Sequence, residues 1–260
     1  MTPSDQAIRV HDLVLSARLP VVNGISFEVA RGEAVGIVGE SGSGKSLTLR
    51  SVISLLPTGV TQTGGSITVQ GRVGMVFQDP LTALDPLMPV GRQVAAASRF
   101  ARGTGRKAAR ARALELFEQV RLPDPVAKLG AYPHQLSGGQ RQRVVIALAR
   151  ATDPEILLCD EPTTALDVTV QKQVLELLGQ LREELGLSMV FVSHDLAVVS
   201  TVCTRLIVMK EGQIVETGET LDVLTAPQHP YTRKLLGAVL ALPVLGTPAP
   251  MPPLPGNGTV

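Results

Sequence analysis

Two Gly-rich loops and a pair of adjacent acids hold most of the reactive chemistry in this 260-residue sequence. The first loop, Gly39, Glu40, Ser41, Gly42, Ser43, Gly44, Lys45 and Ser46, has the spacing G-x-x-x-x-G-K-[ST]. Its glycines allow a tight winding that aims successive N–H groups at phosphate oxygens. A helix starting near Lys45 adds its positive end. In that setting Lys45 reaches the β- and γ-phosphates of a nucleoside triphosphate and Ser46 ligates Mg2+. Leu47 completes the group of residues around the nucleotide. The other reading, a Gly/Ser turn with an incidental lysine, does not explain the strand before the loop or the helix after it.

In ILLCDEP, residues 156–162, Asp160 and Glu161 stand at the exit of an apolar strand. Strand alternation sends neighbours to different faces, so the two acids can take different roles. Asp160 is suited to hold Mg2+ through water, and Glu161 to polarise the water that attacks a γ-phosphate. The alternative for either acid is to cap the following helix. Gln78 in VFQDP can reach the metal and the attacking water through its amide oxygen. His194 in FVSHD follows a parallel strand at the edge where ligands gather in open α/β sheets. There it can donate to the γ-phosphate, although a histidine on its own reads as structural.

The second loop, LSGGQRQR at residues 136–143, has no carboxylate, thiol or metal-ligand pair. Ser137, Gly138, Gly139 and Gln140 open a helix whose small residues permit close backbone approach and whose N-terminus supplies positive charge. Taken alone, SGGQ also fits a plain structural helix start. One phosphate cradle suffices to bind a nucleotide, so the question is what the second one faces.

Elements must bring these residues together. Apolar AVGIV (34–38) enters the first loop as a strand buried on both faces. Residues 7–15 and 25–29 read as half-buried strands, 46–56 as a helix stopping at Pro57, and 66–70 and 72–78 as strands. Residues 91–150 look helical throughout, with turns at RGTG and LPDP. Strand 156–160, helix 169–185, strand 189–193, helix 195–203 and strands 205–210 and 213–218 follow. Strands separated by helices predict a parallel sheet with right-handed crossovers. The helical block interrupts that alternation as an inserted subdomain.

Composition bounds the function. A net charge of +1 offers no field that argues for nucleic acid or acidic lipid. Two cysteines, Cys159 and Cys203, suit a reducing compartment rather than a disulfide framework. The start MTPSDQAIRVHD lacks an apolar signal region, and no run nears the roughly 18 apolar residues that span a bilayer. The basic stretch 99–112 holds six Arg or Lys and reads as a solvated helix face with Ala and Leu inward. His229 in QHP is a lone histidine before a proline and makes no metal site by itself.

In order, Gly39–Ser46, Gln78, LSGGQ (136–140), LLCDE (157–161), TALD (164–167) and His194 resemble the ATP-binding cassette (ABC) ATPases over about residues 7–240. The resemblance implies an α/β P-loop NTPase fold: a mostly parallel core sheet with flanking helices, an antiparallel β subdomain, and a helical subdomain inserted at about 85–150. It implies an ATPase domain over 1–240 and a Pro-rich, disordered tail over 241–260. ATP and Mg2+ are the implied cofactors, with Ser46, Gln78 and Asp160 around the metal and Glu161, His194 and Gln78 in catalysis. Two such domains stack head to tail, so Ser137, Gly138, Gly139 and Gln140 of one chain close over ATP held by the other. Asp167 then lies across the interface.

Residues 225–239 and 55–67 resemble importer ATPases for oligopeptides, dipeptides and nickel. That branch implies a second ATPase subunit, two membrane permeases and an extracytoplasmic solute-binding protein; residues 79–94 are the place for the permease contact, and the other reading of their apolar residues is ordinary loop anchoring. It implies a place on the cytoplasmic face of the membrane and no nucleic acid. The accessory ATPase of carbon–phosphorus lyase, a soluble complex, has similar motifs and is the alternative. Three departures stand out. LVLSARLPVV (13–22) has no aromatic to stack on adenine, the interval from Lys45 to Gln78 is short, and no Cys-rich tail suggests an iron–sulfur cluster.

Overall fold

The computed structural model describes residues 5–240, with side chains to residue 237, and sorts nine strands among them into two sheets. In chain order they are β1 (Gln6–Ser16), β2 (Pro20–Ala30), β3 (Ala34–Val38), β4 (Thr61–Val69), β5 (Val73–Val76), β6 (Ile156–Asp160), β7 (Ser188–Ser193), β8 (Arg205–Lys210) and β9 (Gln213–Glu219). The antiparallel sheet has the order β2-β1-β4 and the larger sheet β5-β6-β7-β3-β8-β9. In the larger sheet only β9 runs antiparallel to its neighbour.

The continuous apolar runs of β3, β6 and β7 are buried at every residue because both faces are covered. Alternate positions feed two cores. Val38, Leu157, Phe191 and Val208 point into one, while Ile37, Leu158, Val190 and Ile207 point into the other. The second core also takes the inner residues of β1 and β2, so the small sheet is packed onto one face of the large one.

The helices are α1 (Lys45–Val52), α2 (Pro80–Ala83), α3 (Val90–Arg102), α4 (Arg106–Gln119), α5 (Pro125–Lys128), α6 (Gly138–Arg150), α7 (Val168–Leu185), α8 (Leu196–Ser200), α9 (Thr220–Thr225) and α10 (Pro230–Leu240). The connection between the adjacent strands β5 and β6 is the whole block α2 to α6. Its buried Phe117, Leu116 and Val144 join the first core.

Several element boundaries differ from the sequence pattern. Helix α1 ends at Val52 rather than at Leu56. Ser54 turns left-handed at φ 56° and the Leu55 N–H donates to Arg50 O at 2.9 Å, closing the last turn early. Leu56 is thereby freed to pack on the second core. Strand β4 starts at Thr61, earlier than residue 66, because the small residues before Ser66 pair with β1. Helix α8 stops at Ser200 instead of residue 203. The block 91–150 is not helical throughout, since residues 129–137 hold only a short turn at Pro133–Gln135. The expected tail at 241–260 lies outside the described residues.

Candidate functional site

Four neighbouring strands set the site. β5, β6, β7 and β3 are contiguous and parallel, so whatever follows their C-terminal ends shares one edge of the sheet. After β5 comes Gln78, β6 ends in Asp160 and leads to Glu161, β7 leads to His194, and β3 leads to residues 39–46.

The first loop winds through positive φ at Gly39, Gly42 and Gly44. A Cβ on Gly39 would sit 2.1 Å from Met209 O, so close approach to β8 demands glycine there. Glu40, Ser41 and Gly42 are exposed, Ser43 is buried, and Leu47 leans on the second core. Lys45 is buried and its Nζ donates to Gly39 O at 2.8 Å and Glu40 O at 2.9 Å, with Ser43 Oγ at 3.5 Å. Burial pulls its ammonium below the usual lysine range, while the charges of Glu161 and Asp160 act the other way. The ammonium therefore stands inside the loop, satisfied by carbonyls that an anion could replace or supplement.

Asp160 is fully buried, and Ser46 Oγ donates to its Oδ1 at 2.6 Å. Arg50 Nη2 lies 3.4 Å from the other oxygen, a partner the sequence did not reveal. A buried carboxylate beside a hydroxyl forms an oxygen-only donor set, the type that suits a hard cation such as Mg2+. Among the described residues no group of three His, Cys, Asp or Glu is placed to hold a metal ion without other ligands.

Glu161 differs from its neighbour for a reason other than strand alternation. Its φ is 46°, left-handed for a non-glycine residue, so the chain turns at Glu161 and the strand stops. Its Oε2 then receives Thr164 Oγ1 at 2.9 Å, stands 3.1 Å from His194 Nδ1 and 3.5 Å from Gln78 Nε2. The three expected catalytic residues thus meet on one oxygen. A proton on His194 Nδ1 faces that carboxylate, which leaves Nε2 turned away from it. Thr164 was missed as a site residue; its spacing of three from Glu161 in a turn was the available signal.

The second loop is built differently. Ser137 Oγ accepts from the Gln140 N–H at 3.3 Å, and Gln140 Oε1 accepts from the Ser137 N–H at 3.3 Å. That reciprocal cap makes a well-ordered start for α6. Asp167 caps α7 in turn, accepting from the Val170 N–H at 3.0 Å. The two helix starts adjoin: a Cβ on Gly139 would lie 2.5 Å from Val170 Cγ1, which gives this glycine a packing reason as well. Ser137, Gly138 and Asp167 are exposed. Among the described residues no hydrogen bond or ion pair joins 136–140 or Asp167 to the first loop.

Two secondary readings also have outcomes. Arg102 and Arg112, from the basic stretch, both pair with Asp153, while Ala109 and Ala113 face inward. His229 Nδ1 accepts from the Tyr231 N–H at 3.2 Å and serves the turn into α10.

Residues 22–164 match the sequence profile of the ABC transporter family. The dipeptide transport ATP-binding protein DppD of Bacillus subtilis (strain 168) is 40% identical over 272 aligned positions, covering 98% of this chain and 81% of DppD. The peptidoglycan transport ATP-binding protein YejF of Agrobacterium fabrum is 46% identical over 235 positions, covering 84% of this chain and 43% of YejF. Among solved structures, a dimeric post-hydrolysis state of the ATP-binding cassette MJ0796, bound to ADP and Pi, superposes with a TM-score of 0.72. It is 29% identical and covers 82% of this chain and 98% of that one.

Proposed function

The chain belongs to the ABC transporter family and is an ATP-hydrolysing subunit, and from that premise we propose that it drives import of peptides through a pair of membrane permeases. The peptide assignment draws on the names of its relatives, which favour it over nickel and over the accessory ATPase of a soluble complex. No helix among the described residues is long and apolar enough to cross a membrane, so the permeases would hold this subunit at the cytoplasmic face.

The observation that carries the mechanism is the division of labour between the loops. Lys45, the Ser46–Asp160 pair and the Glu161 hub converge on one sheet edge, while LSGGQ stands apart, capped and with Ser137 and Gly138 exposed. In our reading Gly39, Glu40, Ser41, Gly42, Ser43, Gly44, Lys45, Ser46 and Leu47 hold the triphosphate of ATP. Ser46, Asp160 and Gln78 would hold Mg2+, which supplies charge neutralisation on the phosphates. Glu161 takes a proton from the attacking water, and Gln78 and His194 keep its carboxylate aimed. Ser137, Gly138, Gly139 and Gln140 of a second subunit complete the site from outside, with Asp167 across the interface. ATP then bridges two subunits, and hydrolysis releases the bridge.

The contact with the permeases falls on residues 79–94. Leu81 and Leu87 are exposed there, and a cavity of about 660 Å3 lies beside Met88, Pro89 and Arg92. Residues 13–22 offer no aromatic side chain to stack on adenine, so the reading includes loose base selectivity.

The test is a pull-down of tagged chain from detergent-solubilised native membranes, with partners identified by mass spectrometry. Two permeases and a second ATPase are expected. Purely soluble partners would overturn the import reading and leave the ATPase chemistry standing.

A further inference from the structure

Near the carboxy-terminal end of the described residues, QHPYTRK (228–234) contributes nothing to the nucleotide chemistry above, yet it reaches the phosphate loop. Tyr231 is only 6% exposed, and its hydroxyl accepts a hydrogen bond from the Glu40 N–H at 2.9 Å. That N–H belongs to the peptide joining Gly39 to Glu40. The carbonyl of the same peptide is Gly39 O, which accepts from Lys45 Nζ at 2.8 Å. In a trans peptide the two groups point to opposite sides, so one rigid plane is gripped from both edges. Lys45 holds one edge and Tyr231 the other.

The tyrosine is itself fixed. Glu216 of β9 accepts from the N–H groups of Gln228 at 2.7 Å and His229 at 3.0 Å, anchoring the turn into α10. Lys210 Nζ stands 5.5 Å from the centre of the Tyr231 ring. A neighbouring brace acts on the same loop, where the Gly212 N–H donates to Ser43 O at 3.2 Å.

We propose that Tyr231 is a positioning residue for nucleotide binding: its hydroxyl orients the Gly39–Glu40 peptide and, through that peptide, the ammonium of Lys45. The proposal rests on the reading of residues 39–46 as the ATP cradle. It gives α10 a role beyond packing, because loosening α10 would loosen the grip on the triphosphate.

The test compares equilibrium ATP affinity and steady-state turnover of the full chain with those of Tyr231→Phe, Lys45→Ala and Arg233→Ala. Phenylalanine keeps the buried ring and removes only the hydroxyl. Tyr231→Phe should raise Kd and KM for ATP about three- to tenfold, the range of one neutral hydrogen bond, with kcat changed by less than about twofold. Arg233, exposed on the same helix and bonded to Gln228 O at 2.9 Å, reports general loosening of α10. Its alanine variant should leave Kd within about twofold, near the effect of a weak surface contact. A Tyr231→Phe chain with normal ATP affinity, or with only a lower melting temperature, would overturn the proposal. So would an Arg233→Ala chain whose Kd rises as much. If the unaltered chain did not bind ATP, or Lys45→Ala bound it normally, the cradle reading itself would fail.

Discussion

A carboxylate oxygen shared by an amide, a hydroxyl and an imidazole is held in one place, and the use of Glu161 as a base that we propose depends on that. Glu161→Gln preserves size and most contacts but cannot take a proton. Turnover should fall about 10²- to 10⁴-fold, the usual worth of general base catalysis, with ATP binding retained. Unchanged turnover in a phosphate-release assay would remove Glu161 from that role. The two thiols make a contrast, being held inert. Burial pushes Cys159 far above the usual thiol range and Cys203 up to about 12, with Arg182 opposing the shift at Cys203. Each group favours its neutral form, so at pH 8 neither becomes a thiolate in the fold. A thiol-reactive dye should label neither residue in the native chain and both after denaturation; labelling of the native chain at the rate of a free thiol would contradict this.

At the scale of single elements, the turn into α10 makes the link between β9 and the cradle depend on pH. Burial pushes the Glu216 carboxyl up, but the Thr232 side chain, the N–H groups of Gln228 and His229 and the His229 ring together outweigh burial and hold it below the usual carboxylate range. A depressed folded value means the stabilisation is present above the unfolded carboxylate pKa and fades as pH falls through the folded one. Melting temperature should therefore drop on acidification below about pH 4.5, near the unfolded value. Glu216→Gln should show a smaller drop; an identical acid profile would refute the assignment.

Elements also show where sequence reading stops. The strands β3, β6 and β7 are legible because burial on both faces requires unbroken apolar runs. The early end of α1 was not, since Ser54 gives no sign of its left-handed turn. Gln78, Glu161 and His194 follow readable strands, so their meeting was predictable from strand ends. The Tyr231–Glu40 bond spans 191 positions and connects elements of different type, and no local pattern reports it.

For the whole molecule, the separation of the two Gly-rich loops becomes a statement about assembly. In the composite site we propose, a loop that bonds to no residue of its own chain's cradle, yet is capped and partly exposed, serves a second subunit. Ser137→Arg places a long cation at that exposed position. It should leave ATP binding in its own cradle intact and suppress hydrolysis at least tenfold, as expected when a charge is forced into a closed interface. Light scattering should show Glu161→Gln chains associating with ATP, with their natural partner where the pair is unlike, and Ser137→Arg should prevent that association. Loss of nucleotide binding in the Ser137→Arg chain alone would remove the composite site.

The position of β3 in the sheet also governs when the chain can first act during its own synthesis. Both strands that flank β3 come from the far half of the sequence, Ala34 pairing with Met189 and Val35 with Arg205. Pairings so distant form late and slow folding. At about 5–20 residues per second, β3 waits roughly 10–30 seconds for its neighbours to leave the ribosome. Until then the cradle sequence exists without its cradle. A nascent chain halted before β7 would be blind to nucleotide, and its unpaired apolar strand would be a natural client for chaperones.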